Sequence, residues 1–310
     1  ELYAEPTDAS GSNAFNLHVL SWDGDILGAL DFGFDLWPDI VPSGAVVGAL
    51  TDEAARATGL PVGLDVVAGA GDNSAAAYGM GLGTGTPGLG SVSLGTSGVI
   101  FAPQERPEPD PDGRVHLFCH ADGGYHLLGV TLAAAGSLAW FRDAFLPGRD
   151  LAELTALAEP IAAGAGGVTF KPYLAGERTP HLNPDLRGSF HGLSLATDTP
   201  HLVRAVLEGV AFSLRDALDV LTPLGTLERA FLTGGGARSG LWAQLLADVL
   251  HLPLGVKENA PGPAYGAARL ALQAAGGAAP EPDEQGVDWL EPDPGDPYAE
   301  ALARYRELGP

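Results

Sequence analysis

Three short turns carry residues whose types and spacing could do chemistry. The first, Gly69-Ala70-Gly71-Asp72-Asn73, closes an apolar run and opens a helical stretch. Its glycines permit a sharp turn, which would push Asp72 to the rim of a sheet. A carboxylate there can take a proton from a hydroxyl or hold a metal; the competing account is that Asp72 only caps the helix that follows. The second turn, Ser93-Leu94-Gly95-Thr96-Ser97-Gly98, exposes consecutive N–H groups and hydroxyls, a way to cradle phosphate without basic side chains. An ordinary hairpin between Val92 and Val99 explains it equally well. The third, Leu232-Thr233-Gly234-Gly235-Gly236-Ala237-Arg238-Ser239, has three successive glycines, which are costly in conformational entropy. They suit a flat ring, such as adenine or ribose, lying against bare backbone; close helix–strand packing is the alternative. None of the three has Walker A or Rossmann glycine spacing.

The elements that must position these turns alternate between strand and helix. Leu64–Ala68 reads as a mostly buried strand leading into the first turn, and Ala75–Met80 begins the helix after it. Gly90–Ser93 and Val99–Phe101 flank the second, and His116–His120 with Tyr125–Val130 forms a further pair. Leu132–Phe145 is helical, with Leu138, Phe141 and Phe145 on one face. Thr197-Asp198-Thr199-Pro200 marks the start of a long helix over Pro200–Leu221. A strand over Arg229–Leu232 enters the third turn, followed by a helix through Leu250 and another over Ala264–Gln273. The acidic, Pro-rich stretch from Gly276 to Pro297 reads as a loop, and Tyr298–Leu308 as a terminal helix. Upstream, residues 13–18 suggest a short strand, Trp22–Leu30 a helix opened at Asp23, Gly44–Leu50 a strand, and Thr51–Thr58 a helix closed by Gly59. The pattern implies an α/β layer fold with a mixed sheet.

Composition narrows the function classes. The chain of 310 residues has 16 Lys and Arg against 39 Asp and Glu, a formal charge of −23. Such a chain repels nucleic acid and anionic membrane surfaces, so a phosphate ligand must be held by backbone N–H groups, helix N-termini or a divalent cation. A single cysteine, Cys119, excludes an internal disulfide and fits a reducing, cytoplasmic setting. Apolar runs fall short of a membrane span, and no secretory signal is visible. Cys119 reads as packing, as do Trp140 and Trp242 on apolar helix faces. His116, His120 and His126 lack a carboxylate at ligand spacing and read as structural. Glu177 and Arg178 read as an ion pair or as cleft-shaping residues.

The order of the three turns resembles the FGGY carbohydrate kinase family, which shares the RNase H-like fold of the actin, hexokinase and Hsp70 ATPases. Gly188-Ser189-Phe190-His191-Gly192-Leu193, then seven residues, then His201-Leu202-Val203-Arg204-Ala205-Val206-Leu207-Glu208 is similar to the second FGGY signature. Spacing held over such a length makes chance agreement remote. His116-Leu117-Phe118-Cys119-His120-Ala121 and Gly176-Glu177-Arg178-Thr179-Pro180-His181 resemble the xylulokinase branch of the family.

The resemblance implies an ATP-dependent kinase acting on a pentulose, D-xylulose first, with Asp72 as general base and Asp72 and Asn73 at the sugar. It places Gly95, Thr96 and Ser97 at the ATP phosphates, Gly234, Gly235, Gly236 and Ser239 around the adenosine, and Ala135 on the helix bordering the nucleotide. Mg²⁺ is the implied cofactor, with no metal-ligating residue assigned in this sequence. Partners are then the sugar and ATP, with a homodimer as an option and no nucleic acid or membrane. Residues 1–87 are expected to be the remnant of the family's N-terminal domain and 88–310 its C-terminal, nucleotide-binding domain. The family's Asp-Xaa-Gly-Thr element and sugar-holding Met-His pair are not found, and the chain opens in mid-pattern, so a fragment inactive alone is expected. Other expectations kept open are ribulose, gluconate, glycerol or another polyol as substrate, and a non-catalytic nucleotide-binding module.

Overall fold

A computed structural model describes residues 2–256, 261–278 and 281–310. Glu1, the first residue of that mid-pattern opening, lies outside them. The centre is a seven-stranded mixed sheet in the order Asp288–Leu290, Leu254–Val256, Leu227–Thr233, Gly88–Leu94, Gly98–Gln104, Tyr125–Thr131, His116–Cys119. Leu227–Thr233 runs parallel to both neighbours, and every other pairing is antiparallel. This is the mixed sheet expected from the alternating pattern, in the RNase H-like arrangement of the actin and hexokinase ATPases.

The strand pleat sorts side chains into two layers. Val92, Leu94, Ile100, Ala102, Leu127, Ala230 and Leu232 enter one large core with the helices Ala135–Phe145, Thr199–Leu221 and Gly240–Leu250. Their neighbours Leu89, Phe101, Leu128 and Phe231 face the other way, into a smaller cluster with Ala77 and Leu82. The first layer is the stronger one. Its central helix starts where Asp198 accepts a hydrogen bond from the His201 N–H, and Pro200 fills the first turn. That helix is buried almost all round. Its one buried ion pair, Arg204–Glu208 at 2.8 Å, is completed by the Gly164 N–H and the Tyr298 hydroxyl, as buried charges require.

On the other face, the helix Asp72–Gly79 crosses the helix Pro263–Ala274 through small residues. A Cβ on Gly266 would lie 1.7 Å from the Ala75 carbonyl oxygen, so only glycine allows the crossing. This contact ties the first turn to the rest of the molecule.

Some expectations are corrected. Asp288–Leu290, within a stretch read as loop, forms the sheet's edge strand against Leu254–Val256. The run Leu64–Ala68 is not buried: its strand, Asp65–Val67, pairs only with Val46–Ala49 in a two-stranded sheet, and Leu64 and Val66 are exposed. Residues 13–18 supply only the two-residue strand Phe15–Asn16. Trp242 is core, whereas Trp140 is 38% exposed and stacks on Phe170 at 6.2 Å. Cys119 is buried beside Ala9 and Phe15, and burial pushes its thiol up to about 12, as an inert packing residue requires. No described helix is long and apolar enough to cross a membrane.

Candidate active site

The first turn is held from behind by a side chain the sequence reading passed over. Glu5, buried at the start of the short helix Pro6–Ala9, accepts from the Thr7 and Asp8 N–H groups and from the Thr7 and Ser43 hydroxyls at 2.5–2.8 Å. Thr7 Oγ1 in turn accepts the Gly71 N–H at 2.8 Å, and Ser43 carbonyl accepts the Gly69 N–H at 2.9 Å. Gly69 sits at φ +91°, a region that favours glycine. The only sequence signal was a Glu-Pro-Thr start, an unusual N-cap.

Asp72 is the first residue of its helix, and the N-cap position belongs to Gly71, which has no side chain to cap with. Asp72 Oδ1 accepts from the Asn73 N–H at 2.7 Å and its side-chain amide at 3.0 Å. No described residue donates a hydrogen bond to Oδ2. Helix capping therefore accounts for Oδ1 but leaves Oδ2 without a donor among the described residues. Two residues further, Ser74 Oγ accepts the Ala121 N–H at 3.0 Å and meets His120 Nδ1 at 3.1 Å, while His120 Nε2 meets the Leu82 carbonyl at 2.9 Å. Nε2 must donate to that carbonyl, so Nδ1 accepts from the Ser74 hydroxyl and the ring is neutral. Burial lowers the His120 pKa, in agreement. His120 is thus held inside the protein by its own hydrogen bonds, whereas His116 lines the cleft described below.

The second turn is a tight hairpin, with Leu94 opposite Gly98 and the Gly95 N–H bonded to the Ser97 carbonyl at 3.2 Å. Gly98 has no room for a side chain, because a Cβ would lie 2.5 Å from Thr131 Oγ1. Thr96 remains exposed. The N-terminus of the helix Ala135–Phe145 closes on this turn: Ala134 N–H donates to the Thr96 carbonyl at 2.8 Å and Ala135 N–H to the Gly95 carbonyl at 2.7 Å. Ala135 thus supports the second turn from behind.

The third turn separates its glycines by role. A Cβ on Gly234, at φ +91°, would fall 2.6 Å from the Leu94 backbone, and one on Gly236 2.4 Å from the Leu94 side chain. Those two are demanded by packing of the third turn onto the second. Gly235 is different: nothing lies within 4 Å of its added Cβ, so its face is open to a ligand. Ser239 caps the helix Gly240–Leu250, accepting the Trp242 N–H at 3.3 Å.

The first and second turns therefore meet at one cleft, while the third packs onto the second through Leu94 and lines none of it. Asp72, Asn73 and Ser97 line one cleft of about 940 Å³, together with His116, Asp110 and Arg178, a volume suited to a small ligand. Asp110 is paired with Arg114 at 2.7 Å, and that hydrogen-bonded contact holds its carboxyl below the usual range. Glu177 does not bind the Arg178 guanidinium. Its buried carboxylate accepts from the Leu132 and Arg178 N–H groups, both at 2.8 Å, and from the Ser213 hydroxyl at 3.3 Å. Burial pushes it up to about 7 against those hydrogen bonds. Among the described residues no group of three or more His, Cys, Asp or Glu is placed to hold a metal ion. The described residues thus form no Mg²⁺ cage of their own.

The cleft thus sets a carboxylate, Asp72, and a residue of the glycine-bounded hairpin, Ser97, on one cavity beside the central mixed sheet. The FGGY C-terminal domain matches residues 90–275 and the FGGY N-terminal domain residues 1–79. The chain belongs to the FGGY family of carbohydrate kinases. It is similar to the xylulose kinases of Escherichia coli (strain K12), 41% identical over 279 residues, and Bacillus subtilis (strain 168), 37% over 277 residues. Each alignment covers 89% of this chain but only 57% and 55% of the relative, so the chain spans little more than half their length. The crystal structure described as a xyloylose kinase from Brucella ovis superposes with a TM-score of 0.91 at 37% identity, over 100% of this chain and 65% of that one. A gluconokinase of Bacillus licheniformis is 35% identical over 280 residues, covering 86% of this chain and 54% of that protein.

Proposed function

We propose that these residues supply the general base and the nucleotide-binding turns of an ATP-dependent pentulose kinase that converts D-xylulose to D-xylulose 5-phosphate. The observation that carries this is the shared cleft: Asp72 and Asn73 stand on the same cavity wall system as Ser97 of the phosphate turn. Asp72 takes the proton of the attacking hydroxyl, whose oxygen forms a bond to the γ-phosphorus. The bond from that phosphorus to the β-bridging oxygen breaks, and ADP leaves with the electron pair. Asn73 hydrogen-bonds the sugar and, through Asp72 Oδ1, leaves Oδ2 free for the proton. Thr96 and Ser97 receive the phosphates, and the open face of Gly235 receives the adenosine. The boundary between the two family domains falls at residues 87–88 in this reading, just before the first central strand.

The test has two parts. Calorimetry on the chain should show ATP and ADP binding that Gly235→Val removes with the fold intact, since the new side chain fills the open face. D-xylulose-dependent ADP release by the polypeptide carrying these residues should fall about 10²–10⁴-fold with Asp72→Asn. A chain that binds neither nucleotide, or a variant at Asp72 that keeps full turnover, would refute the proposal. The gluconokinase similarity favours one second reading, in which the acceptor is gluconate; replacing D-xylulose by gluconate in the same assay decides between the two.

A further inference from the structure

Four residues lining the cleft are charged or titratable: Asp72, Asp110, His116 and Arg178. Asp110 is taken up by Arg114, with two side-chain hydrogen bonds of 2.7 and 3.0 Å. His116 is lowered by burial first and by the Arg178 charge second, so it stays neutral at pH 7. Arg178 is thus the cleft's permanent cation. Its side chain is exposed, and its guanidinium makes no hydrogen bond or ion pair with a described residue. The chain has 39 acidic against 16 basic residues, and Arg178 is the one basic residue among the described residues that lines this cleft.

The backbone beneath it is fixed. Arg178 N–H donates to Glu177 Oε1 at 2.8 Å, and Leu182 N–H donates to the Arg178 carbonyl at 2.6 Å. Glu177 and Asn183 exchange N–H donors to each other's carbonyls at 2.9 Å. Thr179 is stitched to Val130, itself a cleft residue, by a pair of bonds at 2.9 and 3.0 Å. The loop therefore presents the side chain from a rigid mount, on the same cleft as Ser97 and Asp72.

We propose that Arg178 binds the phosphoryl group handled in this cleft, through the planar fork of donors that matches phosphate oxygens. The inference rests on the kinase reading above. A guanidinium fork engages phosphate with two parallel charge-assisted bonds, and such a group stabilises the charge on a phosphoryl in transfer. The shared chemistry is a terminal phosphate, carried either by the donor nucleotide or by the sugar phosphate product.

Calorimetry on the full chain separates the possibilities. Arg178→Met should weaken ATP about tenfold or more while ADP stays within twofold, because only ATP carries the γ-phosphoryl group that the guanidinium would engage. Arg178→Lys, which keeps charge but loses the fork, should fall between. If the loss instead appears for D-xylulose 5-phosphate and not D-xylulose, the phosphate is the product's, and the proposal stands in that form. Equal weakening of ATP and ADP, or four unchanged affinities, overturns it while leaving the kinase reading intact. Failure of the unsubstituted chain to bind either nucleotide removes both. Should the Met variant not fold, the Lys variant decides, and an unchanged affinity for every phosphate ligand is then the overturning result.

Discussion

Replacing Glu177 by Gln should make the protein more stable, by an amount that grows as pH rises from 4.5 to about 7 and is constant above. The carboxyl is 2% exposed, and burial raises it from 4.5 to about 7 against the pull of its hydrogen bonds. Folding therefore favours its protonated form. Below pH 4.5 the group is protonated in both folded and unfolded chains and costs nothing. As pH rises from 4.5 through 7 the folded state holds more protons, and stability falls; above 7 the full deficit is in place. The raised value corresponds to about 3 kcal/mol. Glutamine reproduces the protonated carboxyl. Its oxygen can accept the Leu132 and Arg178 N–H groups, and its amide can donate to Ser213, whose hydroxyl rotates to accept. Urea unfolding followed by tryptophan fluorescence should then place Glu177→Gln about 3 kcal/mol above the parent at pH 8.5 and less than about 1 kcal/mol above it at pH 5. A gap that is the same at both pH values, or a Gln variant weaker at pH 8.5, would show that the carboxylate is ionised and well solvated where it sits.

Two further substitutions probe how the site is held. Thr7→Val keeps shape but strands the Gly71 N–H and removes a donor to Glu5, so it should cost about 1–3 kcal/mol in unfolding free energy; an unchanged denaturation midpoint would mean that water replaces the hydroxyl. Gly266→Ala puts a methyl where the Ala75 carbonyl lies and should lower stability by about 1–3 kcal/mol or more. Near-neutral thermal melting of that variant would show the two helices free to separate.

What the sequence revealed followed from how locally each feature is encoded. The hairpin at Gly95–Ser97 was legible because its flanking strands alternate and its glycine bounds are local. The helix Thr199–Leu221 announced itself through Asp198 and Pro200 at its start. The strand Asp288–Leu290 could not be read, because its pairing with Leu254–Val256 is set by partners more than thirty residues away and its flanks are acidic and Pro-rich. Leu64–Ala68 misled for the opposite reason: an apolar run predicts burial only if a second layer covers it, and there the described residues supply a two-stranded sheet. Within the site, the identities of Asp72 and the three turns were visible in order. Which of Gly234, Gly235 and Gly236 faces a ligand was not, since that depends on Leu94 arriving from a strand far away in sequence. Glu5 was invisible for the same reason, as its partner Ser43 lies 38 residues on. Arg178 was singled out, but its freedom from Glu177 emerged only once the amides that occupy Glu177 were in place.

The crossing of Gly79 on Gly266 also acts as a fulcrum. Asp72 stands seven residues before Gly79 on the same helix, a lever of about 10 Å at 1.5 Å per residue. Tilting that helix by about 5° over the crossing would carry the Asp72 end by about 1 Å relative to the Gly95–Ser97 hairpin, which under the proposed kinase reading is enough to alter rate by about a hundredfold. The placement of Asp72 relative to the Ser97 hairpin is thus set at a point with no chemistry of its own, where two glycines set how closely two helices can touch.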